Sequence, residues 1–110
     1  MEMAIEELGN VTRVALNGRF DIAGAEAVDL KMNVLAGTKK LLLIDMQKVS
    51  FLGSMGLRTI VSVARAVKGR GGKIAVFGAG QDVEKVLTMS GVNVMVPLHR
   101  DLDSAIAALQ

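Results

Sequence analysis

No cysteine occurs among the 110 residues, which excludes disulfides, thiolate nucleophiles and cysteine metal sites together. The one histidine, His99, is poor material for zinc, because structural and catalytic zinc sites want three or four converging ligands. Tryptophan and tyrosine are absent, leaving Phe20, Phe51 and Phe77 as the only aromatic residues; a base-stacking platform for single-stranded nucleic acid needs more. A formal net charge of +2 is too small for a polyanion-binding surface. Uninterrupted apolar stretches such as Leu41–Ile44 stop far short of the roughly 20 residues of a membrane span. The first residues carry Glu2, Glu6 and Glu7 instead of the basic-then-apolar layout of a secretory signal. These absences lead us to expect a cytoplasmic protein with no membrane span, no nucleic-acid partner, no metal and no cofactor.

What is present is apolar residue, 51% of the chain, arranged with clear periods. Its length suits a single domain over residues 1–110. Ala4–Leu8 and Val11–Asn17 flank Gly9-Asn10 and read as a β-hairpin, since these two residues tolerate the positive φ that tight hairpin turns require. Gly18–Asp21 closes the second strand. From Ile22 to Leu35 the residues Ala23, Ala27, Leu30 and Val34 recur at helical spacing as the inward stripe, with Gly37 as the stop. Lys40–Met46 and Lys73–Phe77 read as strands covered on both faces of a parallel sheet. Between them Met55–Lys68 places Leu57, Ile60, Val61, Ala64 and Val67 on a buried stripe, and Arg58, Ser62 and Arg65 on the opposite one. Gln81–Ser90 is a short helix with Val83, Val86 and Leu87 inward, Val94–Val96 a brief strand closed by Pro97, and Leu102–Leu109 a last helix. The reading is an α/β fold with a mixed, mostly parallel sheet opened by an N-terminal β-hairpin, and four helices.

The segment from Asp45 to Leu57, with Phe51, Gly53, Ser54, Met55 and Gly56, resembles the motif of the STAS family, the anti-sigma factor antagonists. In that family an Asp ends a central strand, an aromatic residue follows, and Asp-Ser-Ser/Thr-Gly-Leu opens the next helix. Gly18-Arg19-Phe20-Asp21 is similar to the family's Gly-x-Leu-Asp turn, and the Gly71-Gly72 lead into Lys73–Phe77 to its Gly-Gly strand. The resemblance covers nearly the whole chain and implies a STAS domain that docks on an anti-sigma factor which is also a serine kinase. It implies, too, a switch in which phosphorylation of the second hydroxyl residue breaks the complex. Aligning Gly56-Leu57 puts Gly53 at the family's Asp, Ser54 at its first Ser and Met55 at the acceptor, so the usual hydroxyl is missing and Ser54 is the remaining phosphoacceptor candidate.

The candidate partner-binding residues are Asp21, Gly53, Ser54, Met55, Arg58, Ser62 and Arg65. Each also has a structural role to set against docking. Ser54 and Asp21 precede helices and read as N-caps, Met55 suits an adaptable contact or the core edge, and Arg58, Ser62 and Arg65 could be a solvated face. Asp45 is expected to bond N–H groups of the loop at residues 50–54. A second reading is a non-phosphorylated STAS subunit of a lipid-transport or stress-signalling complex. A third is a small serine hydrolase, since Ser54 and His99 both follow parallel strands and Asp101 or Asp45 could complete a triad. Against it stands the lack of a Gly-x-Ser-x-Gly elbow. Oligomeric state is not legible from the sequence.

Overall fold

A computed structural model describes all residues 1–110. The chain runs β1 (Glu2–Leu8), β2 (Val11–Phe20), α1 (Ile22–Ala36), β3 (Leu41–Leu52), α2 (Ser54–Gly69), β4 (Lys73–Phe77), α3 (Gln81–Met89), α4 (Val92–Met95), β5 (Leu98–His99) and α5 (Leu102–Leu109). The five strands lie in the order β1-β2-β3-β4-β5, with β1 antiparallel to β2 and the rest parallel. The hairpin closes with Leu8 opposite Val11 and only Gly9 at positive φ, 65°, the pattern of the hairpin turn with glycine at its first central position.

Strand alternation divides the core in two. Val14, Leu16, Leu42, Ile44, Ile74 and Val76 face α1, α2 and α3 in the main cluster, while Val11, Leu43, Ala75 and Phe77 meet Ala105 and Leu109 of α5 on the other face. Leu42 to Ile44 are therefore buried on both sides, as their continuous apolar run predicts. The folded chain exposes 5807 Å², close to the roughly 5,800 Å² that surface scaling gives for this mass, so two layers of helix on one sheet account for its compaction.

Four expectations need correction. The inward stripe of α1 is Ala25, Val28, Met32 and Ala36, whereas Leu30 and Val34 are 76% and 58% exposed and Ala23 and Ala27 also face solvent. Two apolar stripes run along this helix, and periodicity alone could not choose between them. The third strand does not end at Met46: it continues to Leu52 because β2 goes on pairing with it, Asn17 with Lys48 and Phe20 with Leu52, through two register shifts. The polar residues Gln47, Lys48 and Ser50 are exposed there, while Val49 and Leu52 still point into the main core. The apolar residues at 94–96 are not a strand. Val92 and Val96, four apart, are buried around the helical turn α4, which starts at Gly91 with φ 82°. The pairing strand follows Pro97 instead, and α4 brings the helices to five. Lastly, Leu57 is only half-buried; Ile60, Val63, Ala64 and Val67 form the buried side of α2.

Candidate functional site

Two strand-to-helix turns meet at one edge of the sheet. The end of β2 runs parallel to the end of β3, with Arg19 beside Phe51 and Phe20 beside Leu52, so the turn into α1 at Asp21 and the turn into α2 at Gly53 emerge side by side. This is the carboxyl edge where parallel α/β sheets place their sites. The backbone ties the two together: Gly53 N–H donates to the Phe20 carbonyl at 3.0 Å. Glycines allow the close approach. A Cβ on Gly56 would lie 2.6 Å from the Phe20 carbonyl oxygen and 2.8 Å from its ring, and one on Gly24 would run into the Arg19 carbonyl oxygen.

Asp21 caps α1, its Oδ1 accepting from Gly24 N–H at 2.9 Å, while Arg19 Nε lies 3.4 Å from Oδ2. The Gly24 N–H holds the Asp21 carboxyl below its ordinary pKa, outweighing the opposing effect of burial, and Arg19 adds a lesser lowering of its own. Arg19 also spreads its guanidinium 4.3 Å from the centroid of the Phe51 ring, a cation–π contact on a ring that is 40% exposed. Arg19 and Phe51 thus belong to this edge: both lie in the motifs that carry the family resemblance, but neither was among the candidate partner-binding residues and their contact was not foreseen. The available signal was an aromatic residue two positions before Gly53, opposite a cation in a parallel register.

Ser54 is not the cap of α2. Gly53 is, in extended conformation and without a side-chain bond, and Ser54 is the first helical residue with its side chain exposed. The first helical bond runs from Leu57 N–H to the Gly53 carbonyl, which leaves the N–H groups of Ser54, Met55 and Gly56 without a helical partner at the positive end of the helix dipole. Such an end suits an anion or a partner's acceptor groups. Met55 is half-buried and borders a groove between α1 and α2, together with Glu26, Leu30 and Arg58.

Along α2, Arg58, Ser62 and Arg65 are all exposed, but their surroundings differ. Ser62 Oγ donates to Asn33 Oδ1 at 2.8 Å, and Thr59 Oγ1 to Asp29 Oδ1 at 2.7 Å, so these two residues fasten α2 to α1. Arg58 and Arg65 form no ion pair within the chain.

The residues of the hydrolase reading are not brought together. Ser54 begins a helix on one face of the sheet, whereas His99 pairs with Phe77 and shares the face of α5, since directly opposed residues point the same way. Asp101 caps α5, accepting from Ser104 N–H at 2.8 Å and its hydroxyl at 3.0 Å, and these two bonds hold its pKa down. Asp45 does not bond the loop at 50–54 as expected, because residues 50–52 continue β3 and Gly53 and Ser54 open α2. It faces Arg13 instead, accepting from Nε and Nη2, and closes on Gln47 N–H at 3.0 Å. This pair lies beside a cleft of about 300 Å³ bordered by Ala4, Ala15, Asn17 and Lys48. No helix is long and apolar enough to cross a membrane.

A hairpin-led mixed sheet with two helix starts at one carboxyl edge defines the class: residues 2–105 match the STAS domain family, and the chain belongs to it. It is 22% identical, over a 112-residue alignment covering 100% of this chain and 96% of the relative, to the anti-sigma F factor antagonist of Paenibacillus polymyxa. Its fold superposes on that of an anti-sigma factor antagonist from Mycobacterium paratuberculosis with TM-score 0.89 and 27% identity, over 98% of this chain and 92% of that one. The Bacillus cell fate determinant SpoIIAA in its phosphorylated form follows with TM-score 0.76 and 17% identity over 99% and 100%, a likeness of fold.

Proposed function

We propose that this chain is a non-catalytic protein-docking module, an anti-sigma factor antagonist that binds an anti-sigma factor with serine-kinase activity and so regulates bacterial transcription in the cytoplasm. The observation that carries the reading is the shared edge where Asp21, Gly53, Ser54 and Met55 sit with Arg19 and Phe51 on two turns tied by the bond from Gly53 to Phe20. Arg58 and Arg65 extend this surface along α2 as cations without an internal partner. The named relatives support the role, and the family resemblance supports this edge as the docking surface.

Position 55 determines how such a module would be regulated. A phosphoryl group at the start of α2 would add about −1.5 to −2 charges to a docking surface and would be held by the free N–H groups there. Met55 has no hydroxyl oxygen to attack the γ-phosphorus of ATP, and Ser54 lies one residue earlier, where its side chain takes a different direction around the helix. The protein therefore acts as an antagonist fixed in its docking-competent form. The same methionine favours a second reading, a STAS subunit of a lipid-transport or stress-signalling complex that has no phosphorylation step.

Incubating wild type, Ser54→Ala and Met55→Ser with ATP and the anti-sigma factor of the parent genome, and reading intact mass, tests both. The expected result is no added phosphate on wild type and one on Met55→Ser, which then releases the partner. Phosphate on wild type that is absent from Ser54→Ala would overturn the fixed form. Failure of wild type to bind any anti-sigma factor of that genome would leave the subunit reading in its place.

A further inference from the structure

The outer stripe of α1 is left uncovered in the fold, with Leu30 at the border of the groove toward α2. Ala23, Ala27, Leu30 and Val34 are all exposed, Leu30 at 76% and Val34 at 58%, on a helix whose opposite side already fills the core with Val28 and Met32. Their spacing is four, three, four, and at about 100° per residue they fall within about 60° of one another. That is the alternation of the two seam positions of a heptad, with Leu30 and Ala23 at one and Val34 and Ala27 at the other. A β-branched residue and leucine in these respective positions favour two parallel helices, and the alanines let the helices approach closely at their N-terminal ends.

The flanking charges select the same arrangement. Glu26 lies on one side of the stripe and Lys31 on the other, both exposed, and neither forms an ion pair within the chain. They are five residues apart, the offset at which flanking residues of one helix meet those of a parallel, twofold-related partner. In a parallel pair each Glu26 meets Lys31 of the other copy, twice by symmetry. An antiparallel pair would set Glu26 against Glu26 and Lys31 against Lys31.

From this complementarity of shape and charge we infer that α1 is a self-association surface, which pairs in parallel with α1 of a second copy of this chain. Two heptads bury little area, so the dimer is weak and dissociates on dilution. The surface adjoins the docking edge, since Glu26 and Leu30 border the groove that Met55 and Arg58 also line, and differs from it in its occupant, which is the chain itself.

Sedimentation of the intact chain from micromolar to millimolar concentration tests the inference. Wild type should move from the 11.6 kDa monomer toward twice that mass, while Leu30→Glu should stay monomeric with an unchanged melting curve, since Leu30 is exposed. Glu26→Lys and Lys31→Glu should each weaken the dimer by about fivefold, as repulsive rim pairs do, and the double reversal should restore it. Because the chain has no native cysteine, Leu30→Cys and Val34→Cys should each oxidise to a self-linked dimer. A wild type that is monomeric throughout, a dimer that survives Leu30→Glu, or a double reversal that restores nothing would overturn the proposal.

Discussion

Arg13 on β2 donates two hydrogen bonds to one carboxylate oxygen of Asp45 on β3, from Nε at 3.1 Å and from Nη2 at 2.6 Å. The guanidinium also stands 5.5 Å from the centroid of the Phe77 ring and reaches Glu6 at 3.3 Å. Asp45 is the more enclosed partner, its side chain 6% exposed against 23% for Arg13. Parallel pairing puts Ala15, Asp45, Phe77 and His99 in one row across the sheet, a polar break in the apolar face beneath α5.

Removing the cation strands a buried carboxylate, which is the expensive way to break such a pair. Arg13→Met, which keeps the stem and loses the donors, is expected to destabilise the fold by about 3 kcal/mol. The Gln47 N–H and side-chain amide still bond Asp45 and hold the loss at that low end. Urea titration decides it: a loss below about 1 kcal/mol would make the pair no better than a surface ion pair.

Gly24 and Gly69 should respond to alanine with opposite signs. Both are helical, where glycine ordinarily costs about 0.5 to 1 kcal/mol relative to alanine. At Gly69 an added Cβ meets nothing within 4 Å, so Gly69→Ala should stabilise by about that amount. At Gly24 it would run into the Arg19 carbonyl oxygen, and Gly24→Ala should destabilise by more than about 1 kcal/mol. Equal midpoint shifts in denaturant would contradict the close approach of α1 to the end of β2.

The Asp21 carboxyl, with its pKa lowered chiefly by the Gly24 N–H and further by Arg19, gives a pH dependence of known sign. A carboxylate with a depressed folded pKa contributes stability above its unfolded pKa, and that contribution disappears as pH falls through the folded value. Asp21→Ala should therefore melt below wild type at pH 7, with the gap closing as the pH drops below about 4. Asp21→Asn keeps an acceptor for Gly24 and should recover part of the gap without its pH dependence. A gap that stays constant into acid would show that the charge is idle.

The residues that bury one continuous face were legible in the sequence, and those that bury two competing faces were not. Lys73–Phe77 was readable because apolar period and neighbour agree, and so was the centre of the α2 stripe at Ile60, Ala64 and Val67, although Leu57 and Val61 are only half-buried and the buried Val63 went unread. In α1 the stripe at Ala23, Ala27, Leu30 and Val34 is as regular as the one the core uses, so only the position of the sheet decides. The second half of β3 was hidden because α5 stops short of it, leaving Gln47, Lys48 and Ser50 in water and removing the apolar run that marks a covered strand. At the candidate site, Asp21 and Gly53 were each named through the family resemblance, while their proximity follows from the parallel pairing of β2 with β3 and was not read from the sequence. The Arg19–Phe51 contact depends on a register shift between Gly18 and Arg19, which no local pattern announces.

The outer margins of the sheet close off one route to aggregation. An unpaired strand edge invites another chain to add a strand, yet β5 offers only Leu98 and His99, too short to template growth. At the opposite margin β1 is seven residues long but carries Glu2, Glu6 and Glu7, which would face like charges in any copy laid alongside in register. The two margins thus discourage the sheet from growing by addition of further copies of itself, one by its shortness and the other by its charge.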